Sequence, residues 1–531
     1  MSKRVAVLGA GASGLTAIKC CLDEGLEPVC FERGTDIGGL WNYHEDIREG
    51  HASVFRSTVI NTSKEIMSFS DFPAPKEFPN YMHNTLVMKY FRLYAEHFGL
   101  IKYINFKVHI NSVKPSADYD ATGKWDVEYT DKEKDKSKTE TFDAVLVCTG
   151  HHVDPHVAKF PGQDDFQGRI VHSHDYKHSQ GYVNKRVVVI GIGNSGCDAA
   201  VDLARVASQV FLSTRRGSWI LNRLGPTGLP VDIFGITRYV HSYPLSVRAD
   251  RLQKRLNAKF DHAKYGLQPK HNPTQQHPTM NDILPNEILS GLVKVKANVK
   301  CFRNDGVEFE DGTVERDIHE VIMATGYNIG FPFLDESIVK VTNNEVTMYK
   351  YVFPPHMKHG TLAVIGLIQP IGAINPISEL QCRWATRVFK GLTTLPTQET
   401  MMRDIKSKRD AMASRYVKSQ RHTIQVDFIP YMDEIGAQIG VKPNFLRLLL
   451  TNPKLAYKCF FGPYTPYQYR LMGPGEWAGA KEAIVAVWDR ILCPIKTRHV
   501  DLPEQKSNFS GFLKFLIFVV MVVAVIMKYF I

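Results

Sequence analysis

Apolar positions come in short runs along this chain, and two of the runs lead into the same glycine pattern. VAVLGAGASG begins at residue 5 and VVVIGIGNSG at residue 187, and both continue with helix-like spacing after G-x-G-x-x-G. A short apolar run is typical of a buried strand in a parallel sheet, and the glycines are typical of a tight turn into a helix. The sequence therefore predicts two strand–turn–helix units.

The first unit has the features of a dinucleotide-binding site. Its turn spans residues 9–14, and the next apolar run, EPVCFER at residues 27–33, ends near Glu32, eighteen residues after Gly14. An acid about 20 residues after such a turn binds the hydroxyl groups of a free ribose. This unit is predicted to hold an unphosphorylated ribose, as in FAD or NAD.

The second unit differs from the first at the equivalent position. Eighteen residues after Gly196 the chain reaches Thr214, within QVFLSTRR, and Arg215 and Arg216 follow instead of an acid. A carboxylate would repel a 2′-phosphate, whereas hydroxyl and guanidinium groups bind one. This unit is predicted to hold NADP. A solvated strand end is the alternative interpretation of the two arginines, and their position and neighbours favour the phosphate role.

Further apolar runs indicate that one unit interrupts the other. FDAVLVCTGHH, EVIMATGYN and TLAVIGLIQPIGA read as strands, with the last returning to the first unit, and a charged hairpin tip is expected at residues 131–140. We predict an α/β fold with two Rossmann-like domains. The expected boundaries are 1–153 and 331–430 for the first domain, 154–330 for the second, about 225–282 for a helical insertion, and 431–508 for a cap.

Composition narrows the chemistry. The nine cysteines contain no C-x-x-C pair, which argues against a zinc site, a disulfide framework and a dithiol relay. The net charge of +11 is dispersed and accompanies no nucleic-acid-binding signature, so no nucleic acid partner is expected. Attraction for phosphate cofactors and for a membrane surface explains the charge better.

The C-terminal end is strongly apolar. Residues 515–527 contain no charged or polar side chain, and the stretch 509–531 is interrupted only by Ser510, Gly511, Lys514 and Lys528. A bilayer-spanning helix needs about 20 apolar residues, and lysines can snorkel at its margins. We predict a membrane anchor, spanning or lying in one leaflet, with a buried core helix as the alternative.

Two nucleotide sites in one chain suggest a hydride relay from NADPH to FAD. The acceptor of those electrons decides the function. A disulfide acceptor would require a cysteine pair beside the flavin, and adjacent Cys20 and Cys21 read as core residues of the first helix. A partner protein and dioxygen remain as acceptors.

FQGRIVHSHDY, between the two glycine turns, resembles a known fingerprint. Phe166, Gly168, His172 and Tyr176 match the F-x-G-x-x-x-H-x-x-x-Y pattern of the flavin-containing monooxygenases. GAGASG, IGGLW, INTSKE, IGIGNSGCD and ATGY extend the resemblance over essentially the whole chain. His172 and Tyr176 are expected to be structural residues that link the domains.

The resemblance implies roles for individual residues. For FAD it implies Gly9, Ala10, Gly11, Ala12, Ser13, Gly14, Glu32, Leu40, Trp41, Asn61 and Thr62. For NADP it implies Ile60, Asn61, Gly191, Gly193, Ser195, Gly196, Cys197, Asp198, Thr214 and Arg215. Asn61 is also implied as the catalytic residue, because its amide can hydrogen-bond the flavin, NADP and the oxygen added at flavin C4a.

The family oxygenates soft nitrogen and sulfur nucleophiles of small lipophilic substrates with dioxygen and NADPH. STRRGSWILNR, SQRHTIQ and GLIQPIGAINPISELQ are most similar to the mammalian fifth-isoform type, which inserts oxygen beside carbonyls by Baeyer–Villiger chemistry. His277 stands where heteroatom-oxygenating members mostly carry Glu, so it is a candidate substrate residue, although a surface histidine is the simpler interpretation.

Alternatives stay open at this point. An NADPH oxidase that releases H₂O₂ or a flavin electron-transfer reductase would use the same two cofactors, and a membrane-tethered nucleotide sensor would bind them without turnover. The resemblance and the apolar C-terminus together imply the endoplasmic reticulum membrane, with the catalytic domains in the cytosol. A homodimer is one assembly open to the chain.

Overall fold

A computed structural model of the 531-residue chain describes residues 2–417 and 423–498. Two five-stranded parallel sheets form its two main units. The fold class predicted from the two glycine turns is thus confirmed as α/β with two Rossmann-like sheets. The predicted anchor at 509–531 lies outside the described residues.

The first sheet contains strands from both ends of the chain. In spatial order, all of them parallel, its strands are Leu362–Val364, Ala144–Val147, Arg4–Leu8, Glu27–Phe31 and Ile104–Asn105. The two strands that flank Arg4–Leu8 come from residues before the second unit, and Leu362–Val364 comes from after it. The second unit is therefore inserted between strands of the first sheet.

The second sheet repeats this arrangement with different strands. Its parallel order is Val293–Lys296, Gln209–Ser213, Arg186–Ile190, Glu320–Met323 and Arg169–His172. The edge strand Arg169–His172 belongs to the stretch that carries the fingerprint. Separate apolar clusters cover the two faces of this sheet, as expected for a parallel sheet buried on both sides.

Helices cover the sheets and build the insertion and the cap. In the described residues the α-helices are Ala12–Asp23, Lys64–Met67, Asn84–His97, Tyr119–Thr122, Asn194–Ala204, Val231–Gly235, Arg238–His241, Leu245–Asn257, Leu284–Leu289, Ile374–Lys390, Gln398–Arg415, Phe428–Gln438, Phe445–Thr451, Pro453–Phe461 and Ala480–Leu492. Short 3₁₀ turns are Gly39–Trp41, Ile101–Tyr103, Gln163–Asp165, Pro226–Gly228 and Pro466–Arg470.

Two small antiparallel sheets add to the parallel framework. One consists of Val108–Pro115, Trp125–Asp131 and Lys136–Phe142, and the other of Val299–Arg303, Gly306–Phe309 and Val314–Glu315. Strand pairs complete the list: Ile220–Leu221 with Thr279–Met280, Asp154–Pro155 with Tyr327–Asn328, Val341–Thr342 with Glu345–Val346, and Gln369–Pro370 with Gln425–Val426. The hairpin expected at residues 131–140 is present, but most of that stretch is strand.

The C-terminal helices pack onto the first unit through buried ion pairs. Arg470 lies 2.7 Å from both Asp71 and Glu379, and Arg490 lies 2.9 Å from Glu65. Because breaking a buried pair leaves an uncompensated charge, these contacts hold the cap in one position.

Within residues 2–417 and 423–498, none of the helices has both the length and the apolar character needed to cross a bilayer.

Candidate functional site

The first glycine turn opens helix Ala12–Asp23. Gly14 has no room for a side chain, because an added Cβ would lie 1.9 Å from the carbonyl oxygen of Gly9. At Gly11 an added Cβ would meet only backbone atoms of Gly39, at 3.6 Å or more. Gly11 precedes the helix without a capping side chain, so the first helical N–H groups face an open space. Such a helix terminus binds a pyrophosphate.

The second glycine turn has the same geometry and more open space. An added Cβ at Gly196 would lie 1.9 Å from the carbonyl oxygen of Gly191, whereas at Gly193 it would meet no described atom within 4 Å. Gly193 stands immediately before helix Asn194–Ala204 and supplies no capping side chain. Both turns therefore fit the pyrophosphate of a dinucleotide cofactor.

Glu32 lies directly beside the first turn. Its carboxylate accepts hydrogen bonds from the backbone N–H of Ala10 at 2.7 Å and of Gly34 at 2.6 Å. Strand Glu27–Phe31 ends one residue before it, at the carboxyl edge of the sheet. Each carboxylate oxygen has a lone pair that the backbone N–H groups do not use. These lone pairs can accept hydrogen bonds from ribose hydroxyl groups, as the sequence predicts for this acid.

A basic cavity of about 1320 Å³ lies next to the end of strand Gln209–Ser213. The cationic residues that line it are Arg215, Arg216, Lys264, Lys270, Lys294 and Lys296. Thr214 is at its rim, where its hydroxyl accepts from the Gly217 N–H at 3.0 Å and keeps its own proton to donate. The arrangement suits a phosphate on the ribose of a second dinucleotide.

Asn61 is held from one side only. Its side-chain oxygen accepts a hydrogen bond from Arg223 Nη2 at 2.7 Å, and the same guanidinium reaches the carbonyl oxygens of Val59 at 3.2 Å and Ile60 at 3.4 Å. A guanidinium can only donate, so this contact fixes which way the amide points. No acceptor for Asn61 Nδ2 is present in the described part of the chain. Its two N–H bonds are therefore available to a ligand.

Arg223 connects this amide to the second nucleotide unit. Asp282 accepts from Arg223 Nη1 at 2.8 Å and from its backbone N–H at 2.7 Å. The neighbouring Asn281 donates to Asp198 at 3.1 Å, and burial raises the pKa of Asp198 to about 6. The adjacent residues Asn281 and Asp282 thus connect the predicted residues Asn61 and Asp198, Asp282 through Arg223 and Asn281 by a direct hydrogen bond.

Other predicted residues lie around these turns. Leu40 and Trp41 belong to the half-buried 3₁₀ turn Gly39–Trp41, and Thr62 and Ile60 flank Asn61. Ser13 donates to the Ser378 hydroxyl at 3.0 Å, which ties the first turn to helix Ile374–Lys390.

Two residues predicted for the second unit have different environments. Ser195 is exposed in the first turn of its helix. Cys197 is fully buried, and its thiol lies 3.8 Å from the carbonyl oxygen of Ile192, so this side chain packs in the core. For Cys197, contact with a nucleotide is limited to the backbone.

The remaining predicted residues are placed by other contacts. His277 is half-buried, and its Nε2 lies 3.3 Å from the carbonyl oxygen of Gln369. In the fingerprint, Tyr176 donates to Asp202 at 2.6 Å, and Phe166 is buried beside the second sheet. Burial lowers the pKa of His172 to about 4, which keeps this histidine neutral near pH 7. The fingerprint thus contributes packing to the second unit.

Sequence reasoning missed Arg223 and Asp282. Arg223 is one of many basic residues in an Arg-, Lys- and His-rich stretch, and it lies more than 160 residues from Asn61. The NDI tripeptide at residues 281–283 carries no recognisable spacing to it. Only the fold brings these side chains together, so no local signal could have identified them.

The chain is similar to known proteins over nearly its whole length. The family model described as "Flavin-binding monooxygenase-like" matches residues 2–530. The chain is 54% identical to "Flavin-containing monooxygenase 5" of Rattus norvegicus over 99% of both chains. It is 49% identical to "Dimethylaniline monooxygenase [N-oxide-forming] 2" of the same species over 94% of both.

A solved structure extends the comparison to plants. S-allyl-L-cysteine S-oxygenase from Allium sativum is similar to this chain with a TM-score of 0.64 and 25% identity. The match covers 86% of this chain and 95% of the plant protein. The similarity includes both nucleotide units, because neither sheet alone could account for such coverage.

Proposed function

The chain belongs to the flavin-binding monooxygenase-like family, and we propose that this FAD- and NADPH-dependent monooxygenase inserts oxygen into ketones and aldehydes and also oxygenates soft nitrogen and sulfur nucleophiles. Dioxygen and a small organic substrate are its co-reactants. The observation that carries the proposal is the Asn61 amide, whose oxygen is bound by Arg223 and whose N–H bonds remain to be donated. A donor fixed in this way stabilises negative charge on an oxygen atom.

FAD and NADPH, when bound, would supply the hydride transfer and the activation of dioxygen. The chain contributes binding and positioning. Helix Ala12–Asp23 and Glu32 would hold the pyrophosphate and ribose of FAD, and helix Asn194–Ala204 with the cavity at Arg215 would hold NADPH. Asn61 donates its N–H bonds at the reacting centre, and the Arg223 charge behind it favours anionic oxygen there.

Two comparisons support the proposed substrate classes. The identity to "Flavin-containing monooxygenase 5" exceeds that to the N-oxide-forming relative. This agrees with the resemblance to the fifth-isoform type, from which we infer carbonyl oxygenation. The structural similarity to an S-oxygenase supports oxygenation at sulfur. His277 contributes to this choice in the proposal, since its segment contacts strand Gln369–Pro370 of the first unit.

A product assay tests the reaction. The purified enzyme is incubated with NADPH, air and one substrate at a time: an alkyl methyl ketone, a tertiary amine or a thioether. We expect the ketone to yield an ester and the thioether a sulfoxide, with one NADPH consumed per oxygen transferred. An enzyme that oxidises only the amine and the thioether would refute the carbonyl reaction. If H₂O₂ accounts for all NADPH consumed, the chain acts as an oxidase instead.

We also propose that the enzyme is attached to the endoplasmic reticulum membrane through residues 509–531, with its catalytic units in the cytosol. The sequence supports this, because residues 515–527 contain no charged or polar side chain. A chain that ends at residue 508 is expected to move from the membrane pellet to the soluble fraction after alkaline extraction, with its FAD content unchanged.

A full-length control separates apolar character from chain length. In Val519→Asp/Val523→Asp, each charge near the centre of the segment opposes insertion by about 2.5–3.5 kcal/mol, so this variant should also become soluble. A shortened chain that still sediments with membranes would contradict the anchor. Cofractionation of the full chain with another organelle would contradict the location.

A further inference from the structure

Residues 223–232 of the insertion form hydrogen bonds with both ends of the turn at residues 59–63, which contains Asn61. Arg223 donates to the carbonyl oxygens of Val59 and Ile60 and to the Asn61 side chain. Nine residues later, Asp232 Oδ2 accepts the backbone N–H of Ser63 at 2.6 Å. Arg223 therefore binds hydrogen-bond acceptors of this turn, and Asp232 binds one of its donors, the Ser63 N–H.

The environment of Asp232 is unusual for a buried carboxylate. Only 8% of the residue is exposed, and no lysine or arginine forms an ion pair with it in the described ranges 2–417 and 423–498. Other buried acids of this chain do pair with a cation: Glu65 with Arg490, Glu320 with Lys185, and Glu379 with Arg470. A buried charge needs compensating contacts, and for Asp232 the shortest is the Ser63 N–H.

Tyr81 completes the surroundings of this carboxylate. Its hydroxyl lies 3.4 Å from Asp232 Oδ1 and 3.2 Å from the carbonyl oxygen of Arg223. The Arg223 guanidinium lies 5.9 Å from the centre of the Tyr81 ring. Arg255, on helix Leu245–Asn257, interacts with Tyr81 electrostatically. Lys64, next to Ser63, directs its ammonium to the carbonyl oxygen of Phe78.

We propose that Asp232 is a positioning residue for Asn61, which it orients by accepting the Ser63 N–H and so fixing the far end of the 59–63 turn. Backbone hydrogen bonds anchor the flanks of the turn, from Ile60 N–H to the carbonyl oxygen of Met82 and from Lys64 N–H to that of Asn80. Between these flanks, Arg223 holds the Asn61 side chain and Asp232 holds the Ser63 N–H, so loss of Asp232 frees the Ser63 side of this span and lets the Asn61 amide rotate. The effect on catalysis rests on the proposed role of Asn61. The effect on the turn itself does not.

Titration gives Asp232 a property that a packing residue would lack. Burial raises the pKa of Asp232 to about 6, against the opposing influence of the Ser63 N–H. An ionised carboxylate is the stronger hydrogen-bond acceptor. The turn should therefore be held more firmly as the pH rises through about 6 and less firmly as the pH falls below it.

The test measures hydrogen–deuterium exchange at the Ser63 amide in the full-length holoenzyme, together with the fraction of consumed NADPH that appears as H₂O₂. In Asp232→Ala, Ser63 protection should fall about tenfold, as expected for a lost hydrogen bond to a charged group, and the H₂O₂ fraction should rise. Asp232→Asn keeps an acceptor oxygen but not the charge, so its Ser63 protection should match that of the wild type near pH 5, where the Asp232 carboxyl is neutral. At pH about 8 its protection should lie between that of the wild type and that of Asp232→Ala. Between about pH 5 and 7 the wild-type protection should change, and that of Asp232→Asn should not.

Asp433→Asn serves as the matched control. Asp433 lies on helix Phe428–Gln438 and forms an ion pair at 2.7 Å with Arg238, which belongs to the same insertion as Asp232. In the part of the chain that the structure describes, Asp433 forms no hydrogen bond with the 59–63 turn. We expect it to lower thermal stability and leave Ser63 protection unchanged. Equal loss of protection in Asp433→Asn, or wild-type protection in a folded Asp232→Ala, would overturn the proposal. If the wild type forms no oxygenated product, the proposed function fails, while the exchange data still decide the role of Asp232.

Discussion

Replacing Asn61 with Asp is expected to lower the rate of oxygenated product formation by about 10²–10³-fold, the usual loss when one positioned donor is removed from a reacting oxygen. The replacement keeps an oxygen for Arg223 Nη2, which now lies 2.7 Å from Asn61 Oδ1, and substitutes an acceptor for the amide donor. FAD should remain bound, because the glycine turn and Glu32 are unchanged. NADPH consumption should continue and appear as H₂O₂.

A second Asn→Asp change separates the role of this position from the chemistry of the replacement. Asn111 is exposed on strand Val108–Pro115 and donates to Thr130 at 2.8 Å. Asn111→Asp should leave product formation, FAD content and H₂O₂ release as in the wild type. Wild-type product formation in Asn61→Asp would contradict the donor role, and loss of FAD from that variant would indicate a role in cofactor binding instead.

The two nucleotide units were predictable because their signals are local. Gly14 and Gly9 are five residues apart, and the contact that excludes a side chain at Gly14 is with the Gly9 carbonyl oxygen. The same holds for Gly196 and Gly191. The contact that requires glycine at the third position of each motif is therefore local, and spacing alone reveals it. The first glycines also lie against distant backbone, Gly9 at Cys148 and Gly191 at Ala324, which spacing does not show.

The contacts around Asn61 were not predictable for the opposite reason. Arg223 and Asp232 come from a predominantly basic insertion. The side chain of each forms a hydrogen bond with the 59–63 turn, which lies more than 160 residues earlier in the sequence. Hydrogen bonds of this kind leave no periodicity. The resemblance supplied Asn61, and the fold supplied the residues that hold it.

Most strands of the antiparallel sheets were also not predictable from the sequence. Strands such as Val108–Pro115 and Lys136–Phe142 are largely polar and partly exposed, so they lack the apolar runs that indicated the parallel strands. An antiparallel sheet with one solvated face needs little apolar sequence. Only the charged turn within residues 131–140 was visible as a hairpin.

Replacing Arg215 with Gln is expected to raise the KM for NADPH by about 10- to 100-fold and to leave the KM for NADH nearly unchanged. A hydrogen bond between charged groups contributes about 1.5–3 kcal/mol, which corresponds to this range. Arg215 is exposed and lines the basic cavity beside Thr214, where the 2′-phosphate would lie. NADH has no such phosphate, so it should not sense the change. Initial rates with each reduced cofactor at a saturating substrate concentration measure both values.

The matched control removes an arginine at the far end of the same unit. Arg205 is exposed at the C-terminal end of helix Asn194–Ala204, about 16 Å along the helix from its glycine turn at 1.5 Å per residue. Arg205→Gln should change neither KM, although it removes the same charge. A parallel rise in KM for NADPH and NADH in Arg215→Gln would show that Arg215 contacts the adenosine common to both. No change with either cofactor would place the 2′-phosphate elsewhere and remove the physical basis for the preference for NADP in the second unit.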